Sequence, residues 1–435
     1  MISFISLVKK FPQSYWDLPR IRILWSYLLI LVSSLLSHTA HSQVKLGIDN
    51  LQTLNFRPLW GKKVGLLTHP AGVDRKGTPT LEILHHSPKI QLVALFGPEH
   101  GIYGNEKANQ PVLDKTDALT GLPVYSLYGK YRKPTPSMLE NLDCMVIDLQ
   151  DIGVRSYTYI SCMRLTLEAC FESEVAVMIL DRPNPLSGLL VDGPLLEEKW
   201  RSYVGTFPLP YLHGMTIGEL AIMAKKEPGW LAVSSKTIRK GALTIVPMKG
   251  WKRNFFWSQT GLKWVPTSPY IPSISAVLGY AMVGLGGQIN AFSHGIGTPH
   301  PFRLLQYRGK SPSAVQEALT NLKIPGLSFP LRSYKNKNNQ TVLAPYVKVE
   351  SWKALRPTQI SFAMMLQACR WESPKNPYTA VDQNQARLYN KHVGSSLWWA
   401  QLQQKGQHTP LEFFLKKWEK EAKKFQQLSK QYWIY

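Results

Sequence analysis

The chain has 435 residues, 44% hydrophobic and 18% charged, which is enough length and apolar content for two domains with ordinary packed cores. That excludes a mini-protein, a wholly disordered chain and a polytopic membrane protein. Lysine and arginine outnumber aspartate and glutamate 51 to 28, and the formal charge of +23 suits nucleic acid, an anionic envelope or an acidic substrate.

Residues 1–42 read as a secretory signal. Lys9, Lys10, Arg20 and Arg22 precede the apolar run Ile23 to Leu36, and Ala40-His41-Ser42 has the small-x-small pattern of a signal-peptidase site. An uncleaved membrane anchor is the alternative, although the run is short and interrupted by serine. The exported remainder is expected in the periplasm or at the cell surface. Its four cysteines, Cys144, Cys162, Cys170 and Cys369, form no CxxC pair or metal-ligand spacing, and they read as buried thiols.

From Lys63 to Leu180 short apolar runs alternate with helix-like stretches. Val64 to Leu67, Gln91 to Phe96, Cys144 to Leu149 and Val175 to Leu180 have the length and continuous hydrophobicity of strands buried on both faces. Thr78 to His86, Thr135 to Leu142 and Tyr157 to Phe171 read as the intervening helices. The alternation predicts a Rossmann-like, mostly parallel sheet domain over residues 43–200. No GxGxxG or GxxxxGKS follows the first strand, so no nucleotide is expected. A smaller α/β domain over 201–435, closing the cleft, is predicted from helices at Thr216 to Lys226, Ser311 to Leu322 and Pro357 to Trp371 and a strand at Leu243 to Val246. The last stretch, Leu411 to Tyr435, places Phe414, Leu415, Trp418, Ala422, Phe425 and Leu428 on one helical face, with lysines outside. Packing on its own domain is preferred to lying on a membrane.

Polar residues gather after the strands. His69 follows the first, Pro98-Glu99-His100-Gly101 the second, Gln150-Asp151 and Arg155 the third, and Asp181-Arg182-Pro183-Asn184-Pro185 the fourth. In an open parallel sheet these carboxyl ends share the ligand-binding edge. Glu99 lies between a proline that fixes the backbone and a glycine that leaves room for substrate, a position suited to protonating a glycosidic oxygen. Asp151 or Asp148 would supply a second carboxylate, unless a tyrosine or the substrate's acetamido group is the nucleophile. Arg155 offers a fork for a carboxylate, and Tyr157 and Tyr159 offer rings and hydroxyls to a sugar. Each also has a structural reading: Arg155 paired with Asp151, the tyrosines in the core, Asp181 and Arg182 paired in a rigid turn. His213 precedes a capping box, Thr216 with Glu219. A metal site from His69, Glu99, His100, Asp151 and His213 lacks HExxH or comparable spacing, so no metal is expected. Nucleic acid is not expected either, since no RNP, KH or zinc-finger pattern accompanies the basic charge.

These motifs, in this order, resemble the exo-β-N-acetylmuramidase NamZ family, also called YbbC-like. The matching stretches include GLLTHPAGVD at 65–74, LFGPEHGIYG at 95–104, LPVYSLYG at 122–129, VIDLQDIGVRSYTYI at 146–160, LDRPNP at 180–185, HGMTIGELA at 213–221 and MKGWKRN at 248–254. The resemblance implies a Rossmann-like domain followed by a smaller α/β domain, without cofactor. It also implies release of terminal N-acetylmuramic acid from the non-reducing end of peptidoglycan fragments. It assigns Glu99 as general acid/base, and His100, Gln150, Asp151, Arg155, Tyr157, Tyr159, Asp181, Arg182 and Asn184 match motif positions expected to line the pocket for the peptidoglycan-derived saccharide. From the residues themselves, Asp151 and Tyr157 stay as further catalytic candidates, and His69, at a strand end, and His213, just before a helix entry, are added as binding residues. The chain departs from the family pattern at His69, at Ser268-Pro269-Tyr270, and at Gln288 and Ile296, which stand at an acidic and an arginine position. The departures motivate a second reading, a catalytically silent cell-wall sugar-binding protein.

Overall fold

The apolar run Lys63–Thr68 (β1) pairs in parallel on one side with Gln91–Gly97 (β2) and on the other with Cys144–Asp148 (β5). In this computed structural model these three form the centre of a seven-stranded sheet. The remaining strands are Lys115–Thr116 (β3), Pro123–Ser126 (β4), Ala176–Leu180 (β6) and Leu243–Val246 (β7); the order is β3-β4-β2-β1-β5-β6-β7, and only β3 runs antiparallel to its neighbour. The structure describes residues 43–435 except 105, 107–114, 290, 291 and 337; the expected signal segment lies outside the described residues. The expected strands and their parallel order are present. The expected domain boundary near 200 is passed by the sheet itself, whose edge strand β7 lies beyond it.

Continuous hydrophobicity in β5 follows from burial on both faces. Met145 and Ile147 join one core with the helix Tyr159–Glu172 (α4) and the helix Ile217–Lys226 (α5); Cys144 and Val146 join another with Gly47–Thr53 (α1) and Thr80–His85 (α2). All four cysteines are free and buried. The predicted capping box is present: Thr216 Oγ1 accepts from the Glu219 amide at 3.2 Å and Glu219 Oε2 accepts from the Thr216 amide at 3.1 Å.

The C-terminal part is mainly helical and has its own core. Its helices are Ile274–Val283 (α7), Pro312–Asn321 (α8), Gln359–Glu372 (α9), Gln383–Val393 (α10), Ser396–Lys405 (α11) and Leu411–Ser429 (α12), numbered after the short Pro136–Leu139 (α3) and Ser235–Lys240 (α6). Its strands form short antiparallel ladders, such as Leu331–Lys335 with Thr341–Pro345. Trp418 on α12 packs against Phe362 at 4.4 Å and Phe414 at 5.4 Å between ring centroids. The helix thus spends its apolar face on the protein's own core, while Leu428 stays exposed. No helix among the described residues is long and apolar enough to cross a membrane.

His294, in this C-terminal part, is buried, and burial pulls its pKa down to about 4. The unfolded chain binds that proton near 6.5, so neutral His294 favours the folded state fully above that value, and the benefit is lost as pH falls toward 4. A shift of that size is worth about 3 kcal/mol. Urea melts of wild type and His294→Gln at pH 7 and pH 4.5 should show the variant gaining relative stability at the lower pH. An unchanged gap would place the acid sensitivity elsewhere.

Candidate active site

A cleft of about 500 Å³ opens beside the carboxyl ends of β2, β4 and β5. Glu99 reaches it from the turn after β2, where His100 and Gly101 both take left-handed backbone, each with φ of 72°. That turn is held by His100, whose Nδ1 lies 2.9 Å from the Glu106 carbonyl and so acts as donor. Glu99 itself is gripped from two sides. Thr158 Oγ1 donates to its Oε2 at 3.0 Å, and the Tyr128 hydroxyl, just after β4, also hydrogen-bonds to it. Burial first, and then the charge of Glu99, push the Tyr128 phenol up to about 12, so it stays a donor.

Tyr157 lines the same cleft, but its hydroxyl donates to Thr267 Oγ1 at 2.8 Å and burial pushes its pKa up. A neutral, committed phenol suits a fixed wall of the site better than a nucleophile. Tyr159 stands behind it, edge-on at 4.8 Å, with its hydroxyl donating to the Thr267 carbonyl at 2.6 Å. Of the residues singled out from the sequence, the cleft brings together Glu99, His100 and Tyr157.

Asp151, His69, Gln150 and His213 form a buried polar layer outside the cleft lining. The Gln150 amide donates to His69 Nε2 at 2.9 Å, tying the loops after β1 and β5 together. Asp151 Oδ2 accepts from the Gly153 amide at 2.7 Å and lies 3.3 Å from His213 Nε2. His213 Nδ1 accepts from the Met215 amide at 3.2 Å, which puts its proton on the nitrogen that faces Asp151. Burial, and then the charges of Arg182 and His100, hold His69 well below the usual imidazole range, hence neutral. Asp151 is therefore a loop-fixing carboxylate here, not a second acid in the cleft. No cluster of three or more metal-ligating side chains exists among the described residues.

The remaining expected ligands are structural. Arg155 is fully buried, and its two terminal nitrogens donate to the carbonyls of Pro194, Leu209, His392 and Val393 at 2.6–2.8 Å. Only its Nε–H is without a partner, and that donor is buried with the rest of the group, outside the cleft lining. Arg182 is spent on a two-point pair with Asp148, at 2.5 and 2.7 Å, and on the Val73 carbonyl. Asp181 holds the start of α5, accepting from the Gly218 amide and Thr216 Oγ1, each at 2.8 Å. A Cβ on Gly218 would lie 2.8 Å from the Asp181 carboxyl carbon, so the approach needs glycine. Asn184 closes its own turn, bonding the Met215 carbonyl and the Leu186 amide.

Sequence reasoning passed over Tyr128, Arg132, Tyr203 and Lys391, all in the cleft lining. Tyr128 lay within a quoted motif and its position after β4 was its signal. Tyr270 and Ile296, two of the departures from the family pattern, also line the cleft and are 45% and 51% exposed. They alter its surface and not its support.

The comparisons with known proteins agree with this architecture. The family models described as "Exo-beta-N-acetylmuramidase NamZ, N-terminal" and "C-terminal" match residues 64–275 and 278–435. The chain is 42% identical over 292 residues to the peptidoglycan beta-N-acetylmuramidase NamZ of Bacillus subtilis (strain 168), covering 67% of this chain and 68% of that protein. Two crystal structures of DUF1343 family proteins from Bacteroides fragilis NCTC 9343 superpose on it. One is 36% identical with a TM-score of 0.81, over 90% of this chain and 99% of that one. The other is 26% identical with a TM-score of 0.68, over 91% and 99%. With both family models in sequence order across nearly all the described residues, the chain belongs to the exo-β-N-acetylmuramidase NamZ family.

Proposed function

We propose that this protein is an exo-acting glycosidase that releases terminal N-acetylmuramic acid from the non-reducing end of peptidoglycan fragments. The observation that carries the chemistry is Glu99, the one carboxylate among the described residues lining the cleft, oriented by Thr158 and Tyr128. As general acid, Glu99 protonates the glycosidic oxygen while the bond to the anomeric carbon breaks; as base, it then takes a proton from the water that ends on that carbon. Because one carboxylate serves first as acid and then as base, both on the leaving-group face, the displacing group on the opposite face is the substrate's own acetamido oxygen. A cleft of about 500 Å³ falls in the size class of small-ligand pockets, which suits capture of a chain end. The description of the matching family models supports exo-action.

The test is a defined tetrasaccharide with muramic acid at its non-reducing end. Free N-acetylmuramic acid as the first product supports the reading, disaccharide as the first product makes the enzyme endo-acting, and saturable binding without product makes it a silent binder. Export to the periplasm or cell surface is part of the proposal, supported by the basic and apolar pattern of residues 1–42 and by where peptidoglycan lies. Fractionation of cells producing the full chain, with mass analysis of its N-terminus, checks it; an intact cytoplasmic chain would overturn it.

A further inference from the structure

An acidic sugar needs a cation in the cleft with donors to spare. Arg155 and Arg182 are buried and committed to protein acceptors. Arg132 is different. It lies on the loop between β4 and α3, exposed in the cleft lining, and no hydrogen bond or ion pair among the described residues engages its guanidinium. Its central carbon sits 4.2 Å from the centroid of the Tyr203 ring and 5.3 Å from that of Tyr128, the phenol that holds Glu99. Cation–π contact of this kind fixes the head against aromatic surface and leaves its N–H groups unspent.

We propose that Arg132, seated on Tyr203 and Tyr128, is the residue that reads the carboxylate of the sugar's lactyl ether and so selects muramic acid over glucosamine. This rests on the proposed substrate, and it adds the group that makes the choice. The other cations lining the cleft are weaker candidates. Burial pulls His392 down to about 4, leaving it neutral, and its carbonyl is already taken by Arg155. Lys391 is a point charge on α10, whereas a guanidinium presents two parallel donors that match a carboxylate. Tyr128 touches both groups, so one phenol sets the distance between the anion reader and the acid.

The experiment compares wild type, Arg132→Gln, Arg132→Lys and Lys391→Gln. Binding of N-acetylmuramic acid and N-acetylglucosamine is measured by calorimetry, and hydrolysis of the matching chromogenic glycosides is followed beside it. Arg132→Gln should lose about ten- to a hundredfold of the preference for the lactyl sugar, with little change toward the plain one. Arg132→Lys should recover only part of it. Equal losses for both sugars, or a loss of preference that appears in Lys391→Gln instead, overturn the assignment while leaving the glycosidase reading intact. A wild type that prefers N-acetylmuramic acid in binding, through Arg132, but hydrolyses neither glycoside would overturn the activity and keep the anion reader. Circular dichroism verifies that the exposed substitution leaves the fold unchanged.

Discussion

Glu99→Gln is expected to lower kcat by about 10²- to 10⁴-fold, the range removed with a general acid/base, while leaving both substrate affinity and stability close to wild type. The amide is isosteric, and its oxygen can still accept the Thr158 hydroxyl that now holds Oε2 at 3.0 Å. It has no proton to give a leaving oxygen and cannot take one from water. A loss of that size is roughly 3–5 kcal/mol in barrier height, more than the rearrangement of one partly exposed hydrogen bond would cause. Steady-state rates on a chromogenic muramide, with the thermal midpoint measured beside them, decide the point. Turnover within a fewfold of wild type would remove Glu99 from the chemistry and leave the cleft without a carboxylate to perform it. A variant that loses rate and also unfolds early would mean the Thr158 and Tyr128 contacts are structural, and Thr158→Ala should then reproduce the destabilisation.

The strands at the centre of the sheet were legible because burial on both faces leaves an unbroken apolar run, as in Cys144–Asp148. The capping box at Thr216 and Glu219 was legible because its partners are three residues apart. The exposed hairpin strand Leu331–Lys335 was not, since neither of its faces supplies a hydrophobic period. Site residues divide the same way. A strand end can be located from sequence, but whether the polar side chain there turns to the cleft or to the interior depends on residues far along the chain. Asp181 is claimed by Gly218 and Tyr435, and Asp151 by His213, so their carboxylates support loops. Arg132 sits in the polar run Lys130-Tyr131-Arg132-Lys133, which reads as a solvated turn until Tyr203, seventy-one residues later, comes beneath it.

Arg155 carries the largest expected effect on stability. Its guanidinium gathers carbonyls from three separate stretches, at 194, 209 and 392–393, and joins the loop after β5 to the end of α10. Arg155→Met fills much of the volume but leaves the carbonyls of Pro194, His392 and Val393 without a donor, while that of Leu209 keeps the Leu196 amide, and each buried polar group left unsatisfied costs about 1–3 kcal/mol. Allowing for relaxation, the loss should reach at least about 3 kcal/mol, a large part of the roughly 5–15 kcal/mol that holds a typical domain together. Arg155→Lys keeps a cation, yet a single ammonium cannot span acceptors arranged around a planar fork, so it should recover less than half. Urea denaturation followed by tryptophan fluorescence gives both values, and midpoints within about 1 kcal/mol of wild type would show that the carbonyls find other donors. Because His392 also lines the cleft, the lysine variant should slow turnover of lactyl and plain sugars by the same factor. A selective loss for the lactyl sugar would instead return Arg155 to the binding site and contradict its enclosure by the four carbonyls.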